Sequence, residues 1–360
     1  MSVNDASVIE YKCPCCAAPI TYDGAKQKMA CASCGNDYEV ADVEEFNKAM
    51  AVEPQSDFVW DMSDNGSLDA EDGVSTFSCP SCGGEIVSDG NTVATHCPYC
   101  DSPAIMPSQV SGVNKPDFVI PFKLDKEVAK QKYAEFTSKK ILLPKSFKSG
   151  SKIEDITGMY VPFWLFDCDT DSKITYRAET REHWSDSDYN YTRTNHYMIF
   201  REGQVGFSKV PIDGSEKMDD TYMEAIEPFD YNELVPFSTS YLSGHLADKF
   251  DVSSDDCIVR ANERIKNSTI ELFRDTVKGY STVTTASSNI KLENGSVKYA
   301  LLPVWTLNTK YKDEIYSFAM NAQTGKFIGK LPISWGKFWG MFAGFSVVLG
   351  GIATFITSLF

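Results

Sequence analysis

Cys13-Pro14-Cys15-Cys16 and Cys31-Ala32-Ser33-Cys34 return 66 residues further on as Cys79-Pro80-Ser81-Cys82 and Cys97-Pro98-Tyr99-Cys100. Both copies read C-x2-C-x14-C-x2-C, and the Asp23-Gly24 turn signal of the first recurs as Asp89-Gly90 in the second. A two-residue gap lets both thiolates of a knuckle reach one ion, and the long gap leaves room for a hairpin that brings the chain back to close a tetrahedron. The spacing predicts two zinc ribbons, at 11–40 and 77–106. Each is expected to hold one structural Zn2+, through Cys13, Cys16, Cys31 and Cys34 in the first and Cys79, Cys82, Cys97 and Cys100 in the second. Four thiolates leave no open coordination position, so neither ion should meet a substrate. In segments this short the metal supplies the folding free energy, on the order of 10–16 kcal/mol in small zinc peptides. Cys15 competes within the first knuckle, but Ser81 stands at the matching place in the second, which favours Cys13 and Cys16. His96 adjoins Cys97, breaks the spacing and is set aside.

The chain as a whole is acidic, with 34 Lys and Arg against 50 Asp and Glu and a net charge of −16 over 360 residues. Such a chain is repelled by phosphate backbones. Its hydrophobic share of 42% supports a genuine core. Eleven cysteines, eight of them paired, indicate metal in a reducing compartment rather than a disulfide scaffold. The opening MSVNDASVIEYKC has neither a basic start nor an apolar run, so no signal peptide is expected and the bulk of the chain is placed in the cytoplasm. Between the ribbons, 41–76 carries ten acidic residues and only Lys48, and reads as a linker that is mobile or orders against a partner. By contrast 115–152 holds ten lysines against four acids. That basic stretch suits a solvated helix face, anionic headgroups or the acidic linker itself.

From 115 to 332 short alternating strands mix with amphipathic helices, which predicts an α+β domain. Asp125 can cap a helix carrying Ala129, Tyr133 and Phe136 on one face, and a second helix should begin near Ser254, with Ala261 and Ile265 inward. The phrase Tyr160-Val161-Pro162-Phe163-Trp164 is echoed by Leu301-Leu302-Pro303-Val304-Trp305, and both prolines are expected at strand starts or edges. The last stretch, 338–360, contains no charge and follows Lys326, Lys330 and Lys337. It reads as one C-terminal transmembrane helix that anchors the chain with its bulk in the cytoplasm.

No catalytic constellation emerges. The sequence lacks H-E-x-x-H, G-x-S-x-G and a phosphate loop. Cys168, flanked by Asp167 and Asp169, and Cys257, in the first turn of a helix, do not suit a nucleophile. His183 and His196 fall near an expected hairpin tip, where a solvated turn is the simpler reading.

The runs Cys97-Pro98-Tyr99-Cys100, Pro116-Asp117-Phe118-Val119-Ile120-Pro121-Phe122, Gly158 to Trp164, Leu302 to Trp305 and Ala319 to Lys326 resemble bacterial membrane-anchored proteins with paired TFIIB-type zinc ribbons, a group also labelled replication factor Y-like or helicase-like. The resemblance implies a non-enzymatic membrane component acting with protein partners, among them phage-shock-type envelope proteins in envelope stress. No helicase motor motif accompanies it. The leading expectation is a tail-anchored scaffold that binds proteins at the cytoplasmic face of the membrane and no specific nucleic acid. A membrane-tethered nucleic-acid-binding protein and an enzyme with its site in the α+β domain are the alternatives.

Overall fold

The computed structural model describes residues 11–16, 18–50, 59–62, 66–68, 72–89, 97–102, 106–108, 113–144, 147, 156–312 and 314–359. His96, Phe58, Gly90, Lys145, Lys148 and Lys152 lie outside the described residues.

The first cysteine module is a small antiparallel sheet, β1 (Thr21–Asp23), β2 (Lys28–Ala30) and β3 (Asp37–Tyr38), followed by α1 (Val40–Met50). Asn47 of α1 fastens helix to module, accepting from Lys12 N at 2.8 Å and donating to Lys12 O at 3.2 Å. Cys13, Ile20, Met29, Cys31 and Val43 form a core of its own. The segment expected to be mobile or to order against a partner thus begins with a helix. Further along it Trp60 is 4% exposed, packs edge-on against Phe166 at 4.9 Å and donates to Asn262. An indole needs both apolar cover and an acceptor when buried, and Trp60 has both.

The second module contributes β4 (Ser75–Ser78), β5 (Glu85–Ser88) and β6 (Met106–Ser108), with β4 paired antiparallel to both others. After it come β7 (Phe118–Val119), α2 (Lys126–Ser138) and a long hairpin, β8 (Thr157–Ser185) with β9 (Asn190–Asp213). The same succession then repeats as β10 (Leu246–Asp248), α3 (Ser254–Arg274), and β11 (Thr282–Tyr311) with β12 (Glu314–Asn321). β13 (Phe327–Gly329) adds to β12, and α4 (Trp335–Leu359) ends the chain. By contacts the chain divides into two units. One comprises 1–61, 166–210 and 259–296, the other 62–165, 211–258 and 297–360.

Within the second unit the two β-α-β-β repeats exchange strands. β7 of the first pairs in parallel with β11 of the second at Phe118↔Ala300, and β10 of the second pairs in parallel with β8 of the first at Met159↔Leu246. The exchange is fastened reciprocally. Trp164 Nε1 donates to Val252 O at 3.0 Å, in the turn leading to α3, and Trp305 Nε1 donates to Leu124 O at 2.9 Å, in the turn leading to α2. Each indole also meets an aromatic ring of that turn edge-on, Phe250 at 5.0 Å and Phe122 at 5.3 Å. The carbonyls of Pro162 and Pro303 accept from Gly214 and Ala322, whose own carbonyls accept from Val252 and Leu124. The helix caps match as well, with Asp125 accepting from Val128 N and Ser253 from Asp256 N.

Alternation along the exchanged strands buries both faces. Met159, Val161, Phe163 and Leu165 join Ala300, Leu302 and Val304 in one cluster, while Tyr160, Tyr299 and Leu301 face another. Ala129 and Tyr133 of α2 cover a third together with Phe318 and Met320.

Three expectations are corrected. The chain is predominantly β rather than α+β: its strands run to 29, 24 and 30 residues, and the segments expected separately at 283–292 and from 298 on are continuous in β11. Pro162 and Pro303 lie inside β8 and β11. Both sit where the strand passes from one neighbour to another, so the missing N–H interrupts no continuous ladder. The single-pass membrane anchor at 338–360 is also overturned: α4 forms, but among the described residues no helix is long and apolar enough to cross a membrane.

Replacing either anchoring indole strands a carbonyl in the second unit. Trp305→Phe and Trp164→Phe should each lower unfolding stability by about 1–3 kcal/mol, the usual penalty for a partner lost from a buried acceptor, as read by denaturant titration. No loss in either variant would remove the reciprocal anchor from the account.

Candidate metal centres

All four knuckles are built alike. The N–H of the leading cysteine donates to the carbonyl five residues on, Cys13 to Ala18, Cys31 to Asn36, Cys79 to Gly84 and Cys97 to Ser102. In three of them the fourth residue after that cysteine returns a hydrogen bond to it and has positive φ, at Gly35, Gly83 and Asp101. Glycine adopts this conformation without strain, and aspartate is among the few side-chain-bearing residues that tolerate it.

These turns gather the eight sequence-predicted ligands into two groups, Cys13, Cys16, Cys31 and Cys34, and Cys79, Cys82, Cys97 and Cys100, each with its sulfurs within 4.8 Å of one another. Across each site the sulfurs stand 3.5 Å (Cys16 and Cys31), 3.6 Å (Cys13 and Cys34; Cys82 and Cys97) and 3.7 Å (Cys79 and Cys100) apart. A tetrahedron of thiolates with metal–sulfur bonds of about 2.3 Å has edges of about 3.8 Å, so both groups are shaped to hold one metal ion. All eleven cysteines are free of disulfides.

Surrounding donors favour the thiolate form at Cys31 and Cys79, whereas Cys16, Cys97 and Cys100 are shifted the other way. Backbone N–H groups of Cys34 and Ser33 point at Cys31 and bring its pKa down to about 6. Burial opposes ionisation of Cys79, but the N–H groups of Cys82 and Ser81 prevail and bring it to about 7. Asn36 donates to Cys34 Sγ at 3.4 Å, and the Tyr38 hydroxyl lies 3.8 Å from Cys13 Sγ.

The sites differ in what lies behind them. Cys79 and Cys97 belong to the main core cluster of the second unit, with Val161, Phe163 and Leu302. Tyr99, between the last two ligands, donates its hydroxyl to Asp248 Oδ1, and Ser215 donates to Oδ2. Burial pushes the Asp248 carboxyl up to about 7, against the pull of the Ser215 and Tyr99 hydrogen bonds. Spacing located the cysteines, but nothing local in the sequence pointed to Asp248 or Ser215, which reach Tyr99 from distant segments.

The remaining candidates separate. His183 Nδ1 pairs with Thr192 Oγ1 at 2.9 Å near the hairpin tip, whereas His196 Nδ1 lies 3.4 Å from Glu179 Oε1 further down the hairpin, so no two-histidine cluster forms. Cys168 is buried and its thiol is pushed up to about 12, by burial first and then by Asp169 and Asp167. Cys257 is buried against Asp213 O. Neither suits a nucleophile.

A Bacillus subtilis (strain 168) protein described as the uncharacterized protein YdjG is 33% identical to this chain over 337 residues, 94% of each. No family model matches, and no solved structure does.

Two outcomes follow from the unequal packing. Cys16→Ser and Cys82→Ser should each lower bound metal from two ions per chain to one. By hydrogen exchange, Cys82→Ser should also loosen β8 around Val161 and β11 around Leu302, while Cys16→Ser leaves them protected. Equal protection in both variants would contradict the fusion of the second module with its core. For Asp248 the folded-state pKa is raised above the unfolded value near 4, so its stabilising contribution is complete below about pH 4 and is lost as pH rises through about 7. Asp248→Asn should therefore flatten the decline in stability between about pH 4 and pH 7. An unchanged profile would place the ionisation elsewhere.

Proposed function

We propose, since this chain belongs to the family of YdjG, that its members are zinc-stapled, non-catalytic binding proteins that recognise other proteins. The observation that carries the reading is the pair of closed four-cysteine groups with tetrahedral sulfur spacing. Zinc is the ion that suits four thiolates without redox chemistry, and with four protein ligands it has no position left for substrate or water. Each ion then acts as a staple, and the work is done by the surfaces that the stapled modules shape.

A candidate recognition surface lies at the end of the β8–β9 hairpin. Asp186 closes the turn by accepting from the N–H groups of Asp188 and Tyr189. Beside it Trp184 and Tyr191 stack with centroids 5.5 Å apart and planes at 11°, and Trp184, Tyr189 and Tyr191 are all exposed. Clustered exposed aromatics are what protein-recognition hot spots are made of. Nucleic acid fits poorly as a specific partner, because the second module, 77–106, has no Lys or Arg to replace the counterions a phosphate backbone would release.

Elemental analysis of the purified full chain should find about two zinc ions per molecule, in keeping with two thiolate sites. Crosslinking in cells, compared between the native chain and a Trp184→Ala, Tyr189→Ala double variant that keeps its zinc, should show a protein adduct that only the native chain forms. Identical adduct patterns would remove the hairpin tip from recognition, and zinc well below two per chain would remove the staple reading.

A further inference from the structure

Within the first unit, the first cysteine module and α1 form one wall of a cavity of about 540 Å3, and β8, β9 and β11 form the others. A volume of a few hundred cubic ångströms is what small-ligand sites enclose. Pro14, Cys15, Tyr38 and Asp42 face it from the module side, and Arg177, Glu179, His196, Tyr197, Phe200 and Tyr280 from the strands.

Its chemistry is of mixed sign. Arg177 is held by the ring of Phe46, 5.9 Å from the guanidinium, and its Nε is buried without a hydrogen-bond partner. A buried unpaired donor calls for an acceptor. Two carboxylates line the same cavity: Asp42, in the first turn of α1, and Glu179, which also holds His196 at 3.4 Å and Arg181 at 3.0 Å. Between the charges lie flat apolar surfaces, with Tyr197 and Tyr280 meeting edge to face at 5.1 Å.

We propose that this cavity binds a small zwitterion, a free amino acid or a short peptide, with its carboxylate on Arg177, its ammonium between Asp42 and Glu179, and its side chain against the tyrosines. Two other occupants fit worse. A phosphorylated ligand would bring two negative charges to a lining that already carries two carboxylates against one arginine. A metal ion is disfavoured because, among the described residues, only the two cysteine groups bring metal-ligating atoms together. The site stands independently of the protein-recognition reading, since none of its determinants lies at the hairpin tip. It does depend on the first cysteine module: Tyr38, one of its walls, is next to Cys13 Sγ, so a module that has lost its metal would leave the cavity open.

The test uses the full zinc-loaded chain, with L-phenylalanine and the dipeptide Leu-Phe as probes, by saturation-transfer NMR and calorimetry. At least one probe should bind with a dissociation constant below about 1 mM, and Arg177→Met should weaken it by about tenfold or more while zinc content stays at two. N-acetyl-Leu-Phe-amide, which lacks both end charges, should bind at least about tenfold more weakly than Leu-Phe, or not at all. Should Arg177→Met fail to fold, Thr284→Trp, which fills the cavity from its β11 side, should abolish binding instead. Binding of phenylalanine alone or of the dipeptide alone identifies which zwitterion is accepted. Failure of both probes at about 5 mM, binding unchanged in the Arg177 and Thr284 variants, or equal binding of the capped peptide would overturn the proposal.

Discussion

Two tryptophan N–H groups tie the second unit together. Trp164 reaches the carbonyl before α3 and Trp305 the carbonyl before α2, so each repeat is held by a donor that belongs to the other. Neither β7 nor β10, at two and three residues, would persist as a free strand; each exists because the partner repeat offers it a parallel edge. Exchange of this kind makes the unit cooperative: one half cannot bury its strand faces unless the other half is present. The prolines at 162 and 303 belong to the same arrangement, since each supplies a carbonyl and withholds an N–H at the point where the strand changes neighbours.

The two cysteine modules share their turns but not their surroundings. The first has a small core of its own and a helix clamped to it by Asn47, whereas the second gives Cys79, Cys97 and Tyr99 to the main core. A metal held by the first module would shape one wall of a cavity; one held by the second would support the packing of long strands. Cys15 and Ser81 mark the same division. Cys15 faces the cavity, while Ser81, its counterpart, pairs with Ser102 at 3.0 Å.

Carboxylates do unlike work in the two units. In the second, Asp248 is drawn deep enough that its acid form competes near neutrality, and two hydroxyls hold it. In the first, Asp42 and Glu179 remain accessible to a cavity that also holds Arg177, which leaves a lining of both signs. The chain is strongly acidic overall, yet the arrangement of its charges, rather than their sum, decides what each site can accept.

The two four-cysteine groups, the start of α2 at Asp125 and the start of α3 near Ser254 were legible in the sequence because each depends on residues a few positions apart: a two-residue gap, a cap and its acceptor. The echo between Tyr160–Trp164 and Leu301–Trp305 was visible too, although its meaning was not. Whether a strand stops or runs on for thirty residues depends on the edges beside it, and for β11 one of those edges, β7, comes from another part of the chain. The β-rich class therefore escaped a local reading. The tail forms a helix as its pattern suggests, but among the described residues no helix is long and apolar enough to cross a membrane. Arg177, Glu179 and Tyr280 carry no motif and acquire a common role only when β8 and β11 bring them to one wall. Short-range chemistry was settled by the order of residues, whereas strand length, the burial of Asp248 and the cavity were settled by contacts between segments a hundred or more residues apart.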